Sequence, residues 1–180
     1  MTFETMHYIS QRRKGKEGLM AIKLDLSKAF DRVEWLCLEM IIRKLGFHEQ
    51  WISLTMMFVK TATYSILING EPKGSIRPSR GTRQGDLISP YLFHICVEGL
   101  SAMLNKGQQQ GHINGIAVCR KALFISHLLF ADDSLIFCKA NMNECKRVWE
   151  ILQDYEVSSG QKMNREKTSL FFSKNPTLDT

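Results

Sequence analysis

Apolar and polar positions along the chain alternate with a period of two in some segments and with helical spacing in others. Period-two alternation predicts strands in four segments: 19–26, 63–76, 123–137 and 168–172. The segments 63–76 and 123–137 are each predicted to form a hairpin. The first hairpin turns at Asn69-Gly70, a pair that favours tight turns. Asp132-Asp133 separate the two apolar runs of the second hairpin, and Asp25 lies on the polar face of the first strand.

Helical spacing of apolar residues predicts four helices: 32–45, 49–60, 89–104 and 144–155. Asp31 is the expected N-cap of the first helix, and Gly46 is its left-handed stop. Ser89 and Pro90 are expected to start the third helix and Asn143 to cap the fourth. The expected apolar face of the second helix consists of Trp51, Leu54, Met57 and Phe58. Helices combined with two hairpins predict an α+β fold, with an antiparallel sheet packed on helices.

Composition narrows the class of protein. The chain has 180 residues, of which 44% are hydrophobic, and this suits one globular domain. No apolar run approaches the ~18 residues of a membrane span, and the N-terminus lacks a signal-peptide pattern, so we expect an intracellular chain without a membrane partner. The five cysteines form no CxxC pair and are expected to be reduced thiols. A net charge of +6 weakly favours a polyanionic partner.

Three aspartates are the first candidates for chemistry. If the strand that ends at Asp25 neighbours the hairpin that carries Asp132 and Asp133, their carboxylates converge. Two like charges roughly 4 Å apart repel by ~4 kcal/mol at an effective dielectric constant of about 20, so a cation is required or one carboxylate must be protonated. Mg²⁺ suits hard oxygen ligands, and a pair of such ions supports phosphoryl displacement.

Each aspartate also has a simpler explanation when it is taken alone. Adjacent aspartates are common at hairpin tips, because Asp tolerates turn conformations and is well solvated there. Asp25 could form an ion pair with Lys23 or Lys28. Only the combination of the three favours a metal site.

The three aspartates belong to a series of four motifs that follow one another along the chain. The segments concerned are KLDLSKAFDRVEW (23–35), RQGDLISP (83–90), FADD (130–133) and GQKMNREKT (160–168). The chain resembles reverse transcriptases of LINE-type non-LTR retrotransposons, particularly those of plants. The resemblance implies a palm fold with partial fingers and no thumb. It also implies an RNA-directed DNA polymerase core that adds deoxynucleotides to a primer 3′-hydroxyl.

The resemblance also implies a metal site and a general acid. Its metal ligands are Asp25, Asp132, Asp133 and the backbone carbonyl of Leu26. They would hold two Mg²⁺ ions, with Mn²⁺ as an alternative. Lys167 matches a lysine that would protonate the departing pyrophosphate. A plain surface lysine is the competing explanation for Lys167.

Further matched positions would bind the incoming nucleotide. Phe30 would lie under the sugar and exclude a 2′-hydroxyl, although an ordinary core aromatic explains it as well. Gln84 and Gly85 would pack against the nucleotide and the templating base pair. Arg83 would touch phosphate, or it would be solvated or paired with a helix. The basic run 12–16 is either a template contact or a solvated loop.

The implied partners are an RNA template, a DNA primer and deoxynucleoside triphosphates, with a nuclear location by analogy with the family. Leu87 and Ile88 depart from the usual Pro and Leu of the second motif, which alters a helix entry rather than the metal site. We expect residues 1–180 to be a partial reverse transcriptase domain, with palm motifs within 23–168 and a fingers-side segment in 1–22. A catalytically inactive remnant that at most binds nucleic acid is the alternative, and an intron-maturase-like enzyme would share the chemistry.

Overall fold

The computed structural model describes residues 2–13, 17–117, 123–130 and 133–175. Within these residues the elements are α1 (Thr2–Gln11), β1 (Leu19–Asp25), α2 (Trp35–Lys44), α3 (Glu49–Lys60), β2 (Tyr64–Ile68), β3 (Glu71–Ile76), α4 (Ser89–Gln109), β4 (His127–Phe130), β5 (Asp133–Lys139), α5 (Met142–Ser159) and β6 (Ser169–Phe172). Helices pack on an antiparallel sheet, so the predicted α+β class is confirmed.

The main sheet has four strands in the order β4-β5-β1-β6, and every neighbouring pair is antiparallel. β1 is one of its two inner strands, and it carries buried residues on both faces. Alternate residues such as Met20 and Ile22 pack toward α4 and α5, whereas Ala21 packs with Ile9 of α1. Each large apolar side chain buried in this way stabilises the fold by about 1.5–3 kcal/mol. A rigid central strand therefore carries Asp25 at its end.

A second core lies beyond that end of β1, among α2, α3 and α4. Its fully buried members include Leu38, Ile42, Ile52 and Phe93. Leu26, Ala29 and Val33 from the segment after β1 belong to the same cluster. This core therefore attaches the chain that follows Asp25 to three helices.

The predicted start of the first amphipathic helix is wrong. α2 begins at Trp35 after an extended Glu34, and no side chain caps it. The backbone N–H of Glu34 donates to the carbonyl of Ser159 at 3.1 Å, and that of Asp31 donates to Lys28 at 3.0 Å. The Asp31 and Glu34 amides are therefore bonded to partners outside α2. The stop at Gly46, with φ +83°, is as predicted.

The predicted bounds of α3 are confirmed, but its predicted apolar face is wrong. Leu54 and Met57 are 60% and 56% exposed, whereas Ile52 and Val59 are buried. Apolar residues surround much of this helix, so spacing alone did not determine which side faces the core.

The other boundaries differ by a few residues. The β2–β3 hairpin turns at Asn69 and Gly70 with φ values of +53° and +81°, as predicted. Ser89 is the first residue of α4 rather than its cap, and α4 continues to Gln109, beyond its predicted end at residue 104. The cap of α5 is Asn141, whose side chain accepts a hydrogen bond from the Glu144 N–H at 2.9 Å, rather than the predicted Asn143.

The described residues bear on two expectations from composition, one about membrane spans and one about the cysteines. No helix among them is long and apolar enough to cross a membrane. Cys37, Cys96, Cys138 and Cys145 are free thiols, while Cys119 lies outside the described residues. Burial raises the pKa of Cys37, Cys96, Cys138 and Cys145, so they remain protonated at neutral pH.

Candidate active site

The ends of β1 and β5 bring two of the predicted metal ligands together. Asp25 is the last residue of β1, Asp133 is the first residue of β5, and the two are direct cross-strand partners. Directly opposed residues of an antiparallel pair have Cβ atoms about 4.5–5.5 Å apart on one face of the sheet. Asp132 lies outside the described residues, as does the side chain of Asp133. The predicted convergence of Asp25 and Asp133 is therefore present at the level of strand register.

This pairing suits a divalent cation, because two carboxylate-bearing positions share one face at one end of a sheet. No group of three His, Cys, Asp or Glu side chains that could hold a metal occurs in the described part of the chain. Two of the predicted ligand side chains, those of Asp132 and Asp133, lie outside that part.

The hydrogen bonds around Leu26 determine the direction of its backbone carbonyl. Leu26 forms an isolated antiparallel bridge with Met163. The two hydrogen bonds of this bridge join Ser27 N–H to the Lys162 carbonyl and Asn164 N–H to the Asp25 carbonyl, each at 2.8 Å. In such a pair the carbonyl of the bridged residue points to the other side of its strand. That side of β1 is the one occupied by β5.

Phe30 lies in a tight turn directly after β1. We call residues 27–34 the Phe30 turn. The Asp31 N–H donates to the Lys28 carbonyl at 3.0 Å, and Lys28 has a φ of +52°. The Phe30 ring is half-buried, with its centroid 5.1 Å from that of Phe93. One part of the ring thus joins the core while another part remains accessible.

The segment before α4 is bonded directly to the Phe30 turn. The Thr82 N–H donates to the Phe30 carbonyl at 2.9 Å, and the Gly81 N–H donates to the Val33 carbonyl at 2.8 Å. Trp35 Nε1 donates to the Gly81 carbonyl at 2.7 Å. Gly81 has a φ of +87°, and a Cβ atom there would lie 2.8 Å from the Asp31 carbonyl oxygen. Only glycine fits this close approach without strain.

The predicted nucleotide-binding residues follow in the same segment. Gln84 is exposed, and its Nε2 donates to Asp31 Oδ1 at 3.3 Å, so it lies beside the Phe30 turn. Gly85 has a φ of +96°, and no heavy atom of the described residues would lie within 4 Å of a Cβ atom there. The Arg83 guanidinium lies 5.7 Å from the Phe58 ring centroid, and its Nε is 3.9 Å from Asp86 Oδ2. Arg83 therefore contacts helix α3, which agrees with the alternative expectation that it pairs with a helix.

The segment after α5 approaches the Phe30 turn from another side. Gln161 is completely buried, and its Nε2 donates to the Ala29 carbonyl at 2.9 Å. A Cβ atom on Gly160, whose φ is +74°, would lie 2.8 Å from the Arg32 carbonyl oxygen. Sequence reasoning did not single out Gln161, although it directly follows the glycine of the fourth motif.

Lys167 lies on a turn that is fastened to the end of β1. It is exposed, and its N–H donates to Asn164 Oδ1 at 3.4 Å. The Asn164 N–H in turn donates to the Asp25 carbonyl. The structure thus places Lys167 at the Asp25 end of the sheet.

Arg12, the first residue of the basic run, lies near the opposite end of β1. The Arg12 carbonyl accepts from the Lys174 N–H at 3.1 Å, and Ser173, the neighbour of Lys174, bonds to the Leu19 carbonyl. Arg12 Nη1 donates to the Tyr8 hydroxyl at 3.1 Å, so this residue is not simply solvated. Residues 14–16 lie outside the described residues.

Comparison of the sequence with known proteins shows which family the chain belongs to. Residues 1–177 match the family described as "Reverse transcriptase (RNA-dependent DNA polymerase)". The chain belongs to the reverse transcriptase family. The predicted resemblance is therefore confirmed.

Relatives in sequence come from mitochondria and from non-LTR retrotransposons. An uncharacterized mitochondrial protein of Arabidopsis thaliana is 53% identical over 107 residues, which cover 59% of this chain and 86% of that protein. The Pol polyprotein of the type-1 retrotransposable element R2 of Popillia japonica is 32% identical over 130 residues, which are 72% of this chain and 20% of the polyprotein. A 149 kDa protein of the Xenopus laevis transposon TX1 is 25% identical over 158 residues, and the match covers 12% of it. The chain thus spans a small part of the transposon proteins that it matches.

Solved structures confirm the fold. An apo telomerase from Candida tropicalis, truncated from its C-terminal domain, superposes with a TM-score of 0.67 at 18% identity, covering 96% of this chain and 34% of the telomerase. Telomerase of the same species in complex with a fragment of telomeric RNA gives a TM-score of 0.67 at 15% identity, covering 95% of this chain and 28% of the telomerase. The palm-type α+β fold predicted from the motifs is the fold of these reverse transcriptases.

Proposed function

We propose that this chain is the RNA-directed DNA polymerase core of a plant LINE-type retrotransposon. It adds deoxynucleotides to a primer 3′-hydroxyl and releases pyrophosphate. The observation that supports this most is the register that pairs Asp25 with Asp133 in a chain of the reverse transcriptase family. Residues 1–180 act in this proposal as a partial reverse transcriptase domain, with the palm motifs within 23–168.

The acidic residues hold the metal ions in this proposal. Asp25, Asp132, Asp133 and the carbonyl of Leu26 would bind two Mg²⁺ ions, which Mn²⁺ can replace. When bound, such ions neutralise the charge on the phosphates and on the attacking and leaving oxygens. The pairing of β1 with β5 and with the segment around Met163 supports this, because it fixes the backbone at Asp25, Leu26 and Asp133 before substrate binds.

The incoming nucleotide lies against the Phe30 turn. Phe30 supports its sugar and leaves no room for a 2′-hydroxyl, so deoxynucleotides are preferred. Gln84 hydrogen-bonds the nucleotide from beside Asp31, and Gly85 leaves open space for its approach. Arg83 contributes positive charge near the phosphates while it stacks on Phe58.

Lys167 gives a proton to the departing pyrophosphate. Its turn is bonded through Asn164 to the backbone of Asp25, which supports a general acid at the same end of the sheet. A general acid of this kind contributes ~10²–10⁴-fold to a rate.

The partners are an RNA template and a DNA primer, which a net charge of +6 attracts. One telomerase of the same fold has been solved in complex with telomeric RNA. By analogy with the family, the reaction takes place in the nucleus.

Primer extension on an RNA template, with and without Mg²⁺, tests the proposal. We expect Mg²⁺-dependent product from the wild-type chain and a loss of at least ~10³-fold in Asp25→Asn, because the change removes a charged ligand. Asp154→Asn is the matched control, since Asp154 is an exposed carboxylate on α5. Absence of product from the wild-type chain would leave the inactive remnant as the better description. Equal product from Asp25→Asn would show that the product does not depend on the proposed metal site.

A further inference from the structure

Both peptide groups that flank Phe30 are fixed by distant segments. The preceding carbonyl, that of Ala29, accepts from Gln161 Nε2 at 2.9 Å. The following carbonyl, that of Phe30 itself, accepts from the Thr82 N–H, also at 2.9 Å. Two anchored peptide planes determine where the Phe30 Cα lies and in which direction its side chain leaves the backbone.

Only one of these two anchors is a side chain. Gln161 is 0% exposed, and its bond to Ala29 joins positions that are 132 residues apart in the chain. Its own N–H donates to Ser159 Oγ at 3.2 Å, which fixes the base of the side chain. Burial of an amide is costly unless it is hydrogen-bonded. The bond to Ala29 therefore holds Gln161 in place as much as it holds the turn.

The turn would not keep its conformation without such anchors. Lys28, immediately before Ala29, has a φ of +52°, in the left-handed region. This conformation is unfavourable for a residue with a side chain. Loss of the bond to Ala29 would let the turn relax and move the Phe30 ring.

We infer that Gln161 is a positioning residue for Phe30 and thereby sets the preference for deoxynucleotides over ribonucleotides. This inference rests on the proposed function, because it assigns the sugar to the Phe30 ring. Gln161 acts only through the Ala29–Phe30 peptide and contacts no nucleotide.

The first test measures the turn itself by hydrogen–deuterium exchange of the purified chain. Gln161→Met keeps the length and apolar bulk of the side chain but removes the donor. We expect the Asp31 and Thr82 amides to exchange about tenfold faster in this variant, as the loss of one buried hydrogen bond predicts.

Ser173→Ala is the matched control for that measurement. Ser173 is buried, and its hydroxyl accepts from the Leu19 N–H at 2.8 Å at the other end of β1. Its loss should leave the Asp31 and Thr82 amides unchanged. Equal exchange of these amides in wild type and Gln161→Met would overturn the inference.

The second test measures specificity as the ratio of kcat/KM for dATP to that for ATP. We expect this ratio to fall about fivefold to tenfold in Gln161→Met and to stay at the wild-type value in Ser173→Ala. A merely structural role would lower both kcat/KM values together. An unchanged ratio would thus overturn the inference even if amide exchange had increased.

The inference and the proposed function fail in different ways. If the wild-type chain incorporates no nucleotide, the proposed function fails. The inference is then decided by equilibrium competition between dATP and ATP for the protein, where Gln161→Met is expected to lose a wild-type preference for dATP. Equal affinities in the wild-type chain would overturn it.

Discussion

The Phe30 turn and the β2–β3 hairpin show two ways in which a short segment acquires its shape. The hairpin is specified by its own residues, since Asn69 and Gly70 adopt positive φ values, and all of its strand residues are exposed. The Phe30 turn is held from outside by Thr82 and Gln161. A segment that carries proposed chemistry is therefore built by long-range contacts, whereas the locally encoded segment lies away from the core.

Loss of an apolar side chain is expected to give the largest difference in unfolding free energy between the Phe30 turn and the β2–β3 hairpin. Phe93 is 1% exposed and packs on Phe30, whereas Ile66 in the hairpin is 58% exposed. Phe93→Ala should lower the free energy of unfolding by about 3–5 kcal/mol, and Ile66→Ala by less than ~1 kcal/mol. Urea unfolding followed by circular dichroism measures both. Similar midpoints for the two variants would mean that the hairpin is packed as firmly as the core.

Two glycines with nearly the same backbone angle sharpen the comparison. Gly81 and Gly70 have φ values of +87° and +81°. A Cβ atom on Gly81 would meet the Asp31 carbonyl at 2.8 Å, but no heavy atom of the described residues lies within 4 Å of the corresponding position at Gly70. We expect Gly81→Ala to cost about 2–4 kcal/mol and Gly70→Ala about 1 kcal/mol in the same unfolding measurement. An equal cost would show that the backbone angle alone matters and that the close approach does not.

The smallest effect is expected from removing one hydrogen bond. Trp35→Phe eliminates the 2.7 Å bond to the Gly81 carbonyl and should lower the free energy of unfolding by about 1–2 kcal/mol. Tyr64→Phe is its counterpart in the hairpin, where Tyr64 is 43% exposed, and it should stay within ~0.5 kcal/mol of wild type. A change for Tyr64→Phe as large as that for Trp35→Phe would remove the distinction between the two regions.

The same contrast explains which elements the sequence could predict. The hairpin and the bounds of α3 follow from local turn chemistry and periodicity, and both were predicted nearly to the residue. The start of α2 was predicted three residues too early, because Glu34 is extended and the Val33 carbonyl accepts from the distant Gly81 N–H instead of from a helical residue. The exposed face of α3 depends on where α2 and α4 pack, which no local pattern records.

Some features of the candidate site could likewise be predicted from the sequence, and others could not. The opposition of Asp25 and Asp133 could be anticipated, because motif order places both aspartates at strand ends. The roles of Gly81, Thr82 and Gln161 could not, because each acts on a backbone carbonyl and carbonyls are the same in every residue. The side-chain arrangement around Asp132 stays a prediction, as do the functions of Lys167, Arg83, Gln84 and Gly85.

The register between β1 and β5 makes the molecule intolerant of small changes in length. Strand residues alternate between faces, so one amino acid inserted in 134–138 would turn the residue opposite Asp25 to the wrong side of the sheet. An in-frame insertion in the turn at Asn69 and Gly70 would only lengthen an exposed loop. A gain or loss of one codon in β5 should therefore separate the paired aspartates, whereas one in the hairpin turn should leave them opposed.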